Sequence, residues 1–243
     1  MVCAMLDLNR NVIADSPLNV QLNELLDRHA TPRDEAERHY LGASFIGSDC
    51  LRQIQYDWQV EAEHPVRLRD IFDRGHFFEE VARQRMKAAG FAFRSHGLGF
   101  SAADGMFQGH GDGIIDDGPA LPGVAYPCLW EHKALGQSGW RAIERDGLVK
   151  AYPKHAAQVS IYQAYLDVTD HPAIFTVTNA NDCTRLHLLL PFDATRAQLW
   201  SDRAVGIIKA TMRGDLLPWV AKSPDDWRCK MCSHRKRCWQ LDQ

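Results

Sequence analysis

The chain has 243 residues, 45% of them hydrophobic and 24% charged, with a formal net charge of −3. That is a globular composition without the global positive field of many nucleic-acid binders, so attraction to DNA has to come from local patches. No apolar run is long enough to span a membrane, and the first residues, MVCAMLDLNRNVIADSP, lack the basic start and apolar stretch of a signal peptide, so a cytoplasmic location and no membrane partner are expected.

In chain order, Leu18 to His29 has Leu22, Leu25 and Leu26 on one helical face. Thr31 to Glu35 reads as a turn leading into a polar stretch. Ser48 or Asp49 is placed to cap a helix running to about Trp58, with Cys50 in its first turn. Glu61 to Pro65 is a break. Val66 to Ala89 reads as a long helix ended by Gly90, with Ile71, Phe72, Phe78, Val81 and Met86 as its core face and Glu79 pointing to the same interior. Strands are expected over Phe91–Phe100, Phe107–Asp116 and Val124–Lys133. Gly136 to Lys150 is a connector with helical character, and His155 to Leu166 is a helix with Gln158, Tyr162 and Tyr165 on one face. Ala173–Thr178 and Thr184–Leu190 form a hairpin around Asn179 to Asp182. Asp193 to Met212 is a helix, and Pro218 to Gln243 is a cysteine-rich tail. The order implies an α/β fold with a mixed central sheet flanked by helices. Residues 1–40 read as a helical extension, 41–217 as the core and 218–243 as a tail packed on that core.

The stretch from Gly109 to Lys133 carries the chemistry. Asp112 lies in a Gly-His-Gly-Asp-Gly run, and after eighteen intervening residues comes Glu131-His132-Lys133. In a strand, Glu131 and Lys133 share a face and His132 takes the other. A turn region at Gly118, Pro119, Pro122 and Gly123 lets the two strands pair and brings Asp112 beside Glu131. Two carboxylates with a lysine beside them suit a hard divalent cation and an attacked phosphate. The plain alternative is surface charge; glycines around Asp112 and an apolar approach to Glu131 argue for a site.

The chain holds seven cysteines, which in a reducing compartment point to metal binding more than to disulfides. Cys229, Cys232 and Cys238 are spaced for zinc or an iron–sulfur cluster. The fourth ligand is either His234, which favours zinc, or Cys50, if its helix docks on the tail. Cys128 and Cys183 are expected to pack as small apolar residues. Arg228, Lys230, Arg235, Lys236 and Arg237, flanked by Trp227 and Trp239, suit a nucleic-acid strand. A solvated end with tryptophans covering the cysteines is the other reading.

Together these motifs resemble the PD-(D/E)XK nuclease superfamily, and within it the RecB-like phage exonucleases and CRISPR-associated iron–sulfur nucleases. The resemblance rests on Leu41 to Arg52, Arg74 to Glu79, Gly109 to Gly113, Glu131 to Lys133 and His155 to Tyr162, in that order. It implies a restriction-endonuclease-like core with a C-terminal cysteine cluster, and a DNA exonuclease using Mg²⁺ or Mn²⁺. Asp112 and Glu131 would hold the metal, with the His132 carbonyl and Glu79 completing the shell; Glu80 is adjacent, so that assignment can slip by one. Lys133 would position or deprotonate water, Gln158 would orient water or Lys133, and Tyr162 would face a phosphate or brace Gln158. His110 and His132 are further polar contacts or packing groups. Cys50, Cys229, Cys232 and Cys238 would hold a 4Fe-4S cluster, with zinc as the alternative. DNA is the implied substrate, and a recombination or integrase protein the implied partner. The absence of a GxxxxGK[ST] run reads as a stand-alone nuclease. A reading of another class is a non-catalytic, zinc-stapled nucleic-acid-binding protein on the same fold.

Overall fold

The structure is a computed structural model that describes residues 15–30, 39–60, 66–230 and 232–240. The turn expected at Thr31–Glu35 and the break at Glu61–Pro65 lie outside the described residues.

Helix α1 (Pro17–His29) starts where Ser16 Oγ accepts the Asn19 N–H at 3.2 Å, with proline in its first turn. The helix is where its leucines predicted it, but none of its residues is buried. After strand β1 (Leu41–Gly42) and a 3₁₀ turn at Ala43–Phe45 comes α2 (Leu51–Gln59). Cys50 lies one residue earlier than expected: it is the N-cap of α2, in extended conformation, and its side chain makes no capping bond. Helix α3 (Val66–Ala88) has one buried residue, Ala82. The expected core face is therefore only partly realised. Met86 packs on a small cluster around Ile115, Cys128 and Trp130, whereas Ile71 and Phe72 are exposed. Only the C-terminal half of the helix lies against the sheet.

The expected Phe91–Phe100 strand divides into β2 (Ala92–Phe93) and β3 (Gly99–Ala102), and the Phe107–Asp116 strand into β4 (Phe107–His110) and β5 (Gly113–Asp117). These pieces belong to two sheets. A three-stranded sheet runs β1-β4-β3, and a five-stranded one runs β2-β5, then β6 (Cys128–Leu135), β7 (Ala173–Asn179) and β8 (Arg185–Leu190). The break falls at Gly111-Asp112: the Gly111 N–H turns to the Leu98 carbonyl at 2.8 Å, and the chain crosses from one sheet to the other. β6 starts later than expected because Pro127 has no N–H for a ladder. β5 runs antiparallel to β6, β6 parallel to β7, and β7 antiparallel to β8, which makes the larger sheet mixed.

Between β6 and β7 come α4 (Gln137–Asp146), α5 (Leu148–Ala151) and α6 (Pro153–Tyr165). Helix α6 is buried almost throughout between the sheet and α7 (Ala194–Met212). Asp193 caps α7 by accepting the Arg196 N–H at 2.9 Å. Gly109 has a specific purpose: a Cβ there would fall 2.5 Å from the Tyr162 ring, so α6 can approach β4 only over a glycine.

The tail folds into two short helices, α8 (Trp227–Lys230) and α9 (Arg235–Trp239), against α2. The Gln55 amide donates to the Asp215 carbonyl at 2.8 Å and its oxygen accepts the Leu217 N–H at 2.9 Å. Trp239 stacks on Trp219 with centroids 4.9 Å apart, and the Arg52 guanidinium lies 4.4 Å over the Trp219 ring. Cys128 is buried as expected. Cys183 is not: it lies exposed in the β7–β8 turn, where φ is 64°.

Candidate active site

The Gly113–Trp130 pair closes the β5–β6 ladder, and Asp112 and Glu131 stand one position beyond it. There a side chain replaces the backbone: Asp112 Oδ2 accepts the His132 N–H at 2.7 Å. The alternation of β6 then decides the rest. Glu131 and Lys133 face α6, and His132 faces away, its Nε2 2.9 Å from the Thr178 hydroxyl. Burial holds the His132 ring down to about 4, so it is neutral and structural. Any part His132 plays at the site falls to its backbone.

Glu131 has no solvent exposure. Its Oε1 accepts the Lys133 amine at 2.5 Å and the Gln158 amide at 2.6 Å. Its Oε2 is buried and has no partner. A buried carboxylate oxygen without a donor carries the full desolvation cost, which a bound cation would remove. Gln158 also reaches the hydroxyl of Tyr162, which is itself buried. The Lys133 amine stands 3.8 Å from Asp112 Oδ2 as well, so it bridges both acids.

Charge in this corner is crowded. Burial, and then the Asp112 charge, push Glu131 upward against the pull of Lys133. Burial followed by Asp112 raises Glu79 to about 7. Burial works against the Lys133 charge, but Glu131 and Asp112 overcome it and hold the amine well above its ordinary value. Before any divalent cation binds, Lys133 is therefore a hydrogen-bond donor and a charge, not a base.

Glu79 faces this corner and Glu80 faces outward, with side chains 21% and 53% exposed. Arg83, which sequence reasoning missed, ties Glu79 to the site: its Nη2 contacts Glu79 Oε1 and donates to the Asp112 carbonyl at 2.9 Å. The signal was present, since Arg83 lies four residues after Glu79 on a helix. His110, at the end of β4, is exposed.

Among the described residues, no three His, Cys, Asp or Glu side chains converge tightly enough to hold a metal ion. Arg83 engages Glu79, and Lys133 and Gln158 share Glu131 Oε1. The free Glu131 Oε2, the adjacent Asp112 and the raised carboxyls nevertheless fit a divalent cation, because each of these features is relieved by positive charge.

At the tail, Cys50, Cys229, Cys232 and Cys238 come close enough that Cys50 and Cys229 act on the charge of Cys238, and Cys50 and Cys238 on that of Cys232. Burial pushes the Cys232 thiol up to about 11, opposed by a hydrogen bond from the His234 backbone. The His234 ring is 4% exposed, with Nε2 2.8 Å from Asp57 Oδ1. Part of the basic tail is spent internally. Arg228 pairs with Asp226, Arg235 donates to the Pro224 carbonyl and Arg237 lies over Tyr56, while Lys230, Lys236 and Arg237 are exposed.

The fold has solved counterparts. An alkaline exonuclease (LHK-Exo) from Laribacter hongkongensis matches with a TM-score of 0.51 and 14% identity, over 73% of this chain and 90% of that one. Its crystal structure in complex with dAMP matches with a TM-score of 0.50 and 15% identity, over the same 73% and 90%. No protein-family model matches the chain, and no curated protein does. At this identity the likeness shows the fold alone, a mixed α/β fold consistent with the restriction-endonuclease-like core expected from the sequence.

Proposed function

We propose that this chain, folded as a PD-(D/E)XK nuclease, is a deoxyribonuclease that hydrolyses phosphodiester bonds with Mg²⁺ or Mn²⁺ and acts from DNA ends. The observation that carries the reading is the buried Glu131, with its unpartnered Oε2 beside Asp112 and its other oxygen held by Lys133 and Gln158. Asp112, Glu131, the His132 carbonyl and, once released by Arg83, Glu79 would hold the ion. When bound, it would polarise a phosphoryl oxygen and make a water more acidic.

The protein's own groups do the rest. Lys133 carries a proton and donates toward a phosphate oxygen or the attacking water, offsetting charge that builds in the transition state. Gln158 locks one oxygen of Glu131 and leaves the other free. Tyr162 braces Gln158 from below. Arg83 sets the rotamer of Glu79 and fixes the backbone at Asp112. Lys230, Lys236 and Arg237, with the exposed Trp227, offer a surface for the strand outside the site. Exonuclease action on linear ends suits recombination in a phage, or trimming beside an integrase.

The cysteine quartet supports a second part of the proposal, a 4Fe-4S cluster joining the start of α2 to the tail. The thiols lie near enough to act on one another's charge, as the ligands of a cluster or of zinc must. Iron content and brown absorption near roughly 400 nm would support it; stoichiometric zinc would replace it.

The test is Mn²⁺-dependent cleavage of linear and circular DNA by wild type and Lys133→Ala. Loss of linear DNA only with wild type supports the reading. Cleavage of circles turns it to an endonuclease, and no cleavage by metal-loaded wild type refutes it in favour of a binding protein.

A further inference from the structure

Helix α6 brings a third polar residue into the row that lines the site. Gln158 and Tyr162 lie four residues apart on one face, and Lys154 continues the row one turn earlier. Four residues of helix advance about 6 Å, so the Lys154 backbone stands one short step from Gln158 along the wall beside Glu131.

The surroundings of Lys154 do not account for its charge. The amine lies 4.6 Å over the Phe45 ring. The 3₁₀ turn comes this close because Gly47 has no side chain; a Cβ there would meet the Lys154 Cα at 2.6 Å. Among the described residues no carboxylate forms an ion pair with Lys154. Asp57 attracts it from a distance and Lys133 repels it, and burial lowers its affinity for a proton. Asp57 leaves Oδ2 buried without a partner, yet the two do not join. Lys154 also occupies the first turn of α6, the end of a helix where the backbone dipole disfavours a cation. A largely buried cation that feels the charge of Lys133, without an ion-pair partner among the described residues and in the first turn of its helix, would gain from an added anion.

We infer that Lys154 is a nucleic-acid-binding residue that holds the phosphate adjacent to the one attacked, along the Lys154–Gln158–Tyr162 wall. This rests on the nuclease reading above. The neighbouring phosphate is held while the scissile one faces Lys133, which makes Lys154 a determinant of substrate hold and not of the chemical step.

The experiment is fluorescence anisotropy of a labelled single-stranded oligonucleotide in EDTA, over a series of salt concentrations, with wild type, Lys154→Met and Lys154→Arg. Methionine keeps the apolar stem and removes the charge. Its dissociation constant should rise roughly 5–10-fold and its salt slope fall by about one, with arginine restoring both. In Mn²⁺ assays the loss should appear in KM more than in kcat. Unchanged binding and slope in Lys154→Met overturns the inference, and a lower thermal midpoint with wild-type binding assigns the charge to the fold. Wild type that binds DNA but does not cut it would sink the nuclease reading, and weaker binding by Lys154→Met would then keep Lys154 only as a phosphate contact of a binding protein; wild type that neither binds nor cuts overturns both.

Discussion

The carboxylate corner is built into two paired strands, whereas the cysteine quartet is gathered from the N-cap of α2 and the last turns of the tail. In the corner, two donors are placed by strand register and two by packed helices: Asp112 accepts from His132, Lys133 and Gln158 hold one oxygen of Glu131, and Arg83 holds Glu79. Its cost is electrostatic, carried by raised carboxyls and one orphaned oxygen. At the tail the scaffold is slight: two short helices, a Trp219–Trp239 stack and the His234–Asp57 pair. On the proposed reading, a ligand at the corner would relieve electrostatic cost in a folded protein, and one at the tail would supply part of the fold.

The largest test of that contrast is Asp112→Asn. Cleavage should fall by roughly 10²–10³-fold, on the scale of losing one key electrostatic group. The metal-free thermal midpoint should hold or rise, because asparagine still accepts the His132 N–H and no longer pushes Glu131 and Glu79 upward. A large drop in the midpoint would make the corner a structural ion-pair network.

Cys232→Ser should do the reverse. Bound metal should fall, and stability by on the order of 3–5 kcal/mol, a shift of about 10 °C. Normal melting with normal metal content would remove the cluster from the fold.

A smaller effect follows from Glu79, whose folded value of about 7 lies above its ordinary 4.5. The native state then holds the proton more tightly, so its contribution to stability is full below about pH 4.5 and is lost as pH rises through about 7. In metal-free protein, Glu79→Gln should flatten that decline by on the order of 2 kcal/mol, read from urea unfolding across this window. An identical pH profile in both proteins would mean that Arg83 already neutralises Glu79.

The finest probe is Gly109→Ala. The added methyl meets the Tyr162 ring, so stability should fall by about 1–3 kcal/mol and cleavage should weaken as Tyr162 and Gln158 shift, with the tail's metal unaffected. Loss of tail metal in this variant would show that the two regions are coupled.

Much of the corner was legible in the chain because local period dictates it. Alternation along β6 assigned Glu131 and Lys133 to one face, and four-residue spacing placed Gln158 and Tyr162 together. Helices were legible too, to within a residue or two at most ends. What misled was continuity: Phe107 to Asp116 alternates like one strand, but its two halves serve different sheets. The α3 pattern looked like a core face, yet Ile71 and Phe72 on it do not reach the sheet, because periodicity states that a face is apolar and not which element it meets.

By itself, the sequence determined the fold class, the pairing of Asp112 with the Glu131 strand and the close spacing of Cys229, Cys232 and Cys238, since register, spacing and residue chemistry are local properties. Tertiary structure alone decided the strand order, the orientation of Glu79 rather than Glu80 toward the corner, the hold of Arg83 on Glu79 and on the Asp112 backbone carbonyl, and the position of Lys154 over Phe45. Those depend on which helix face meets the sheet and on how burial changes the cost of charge, and neither quantity exists until the chain has packed.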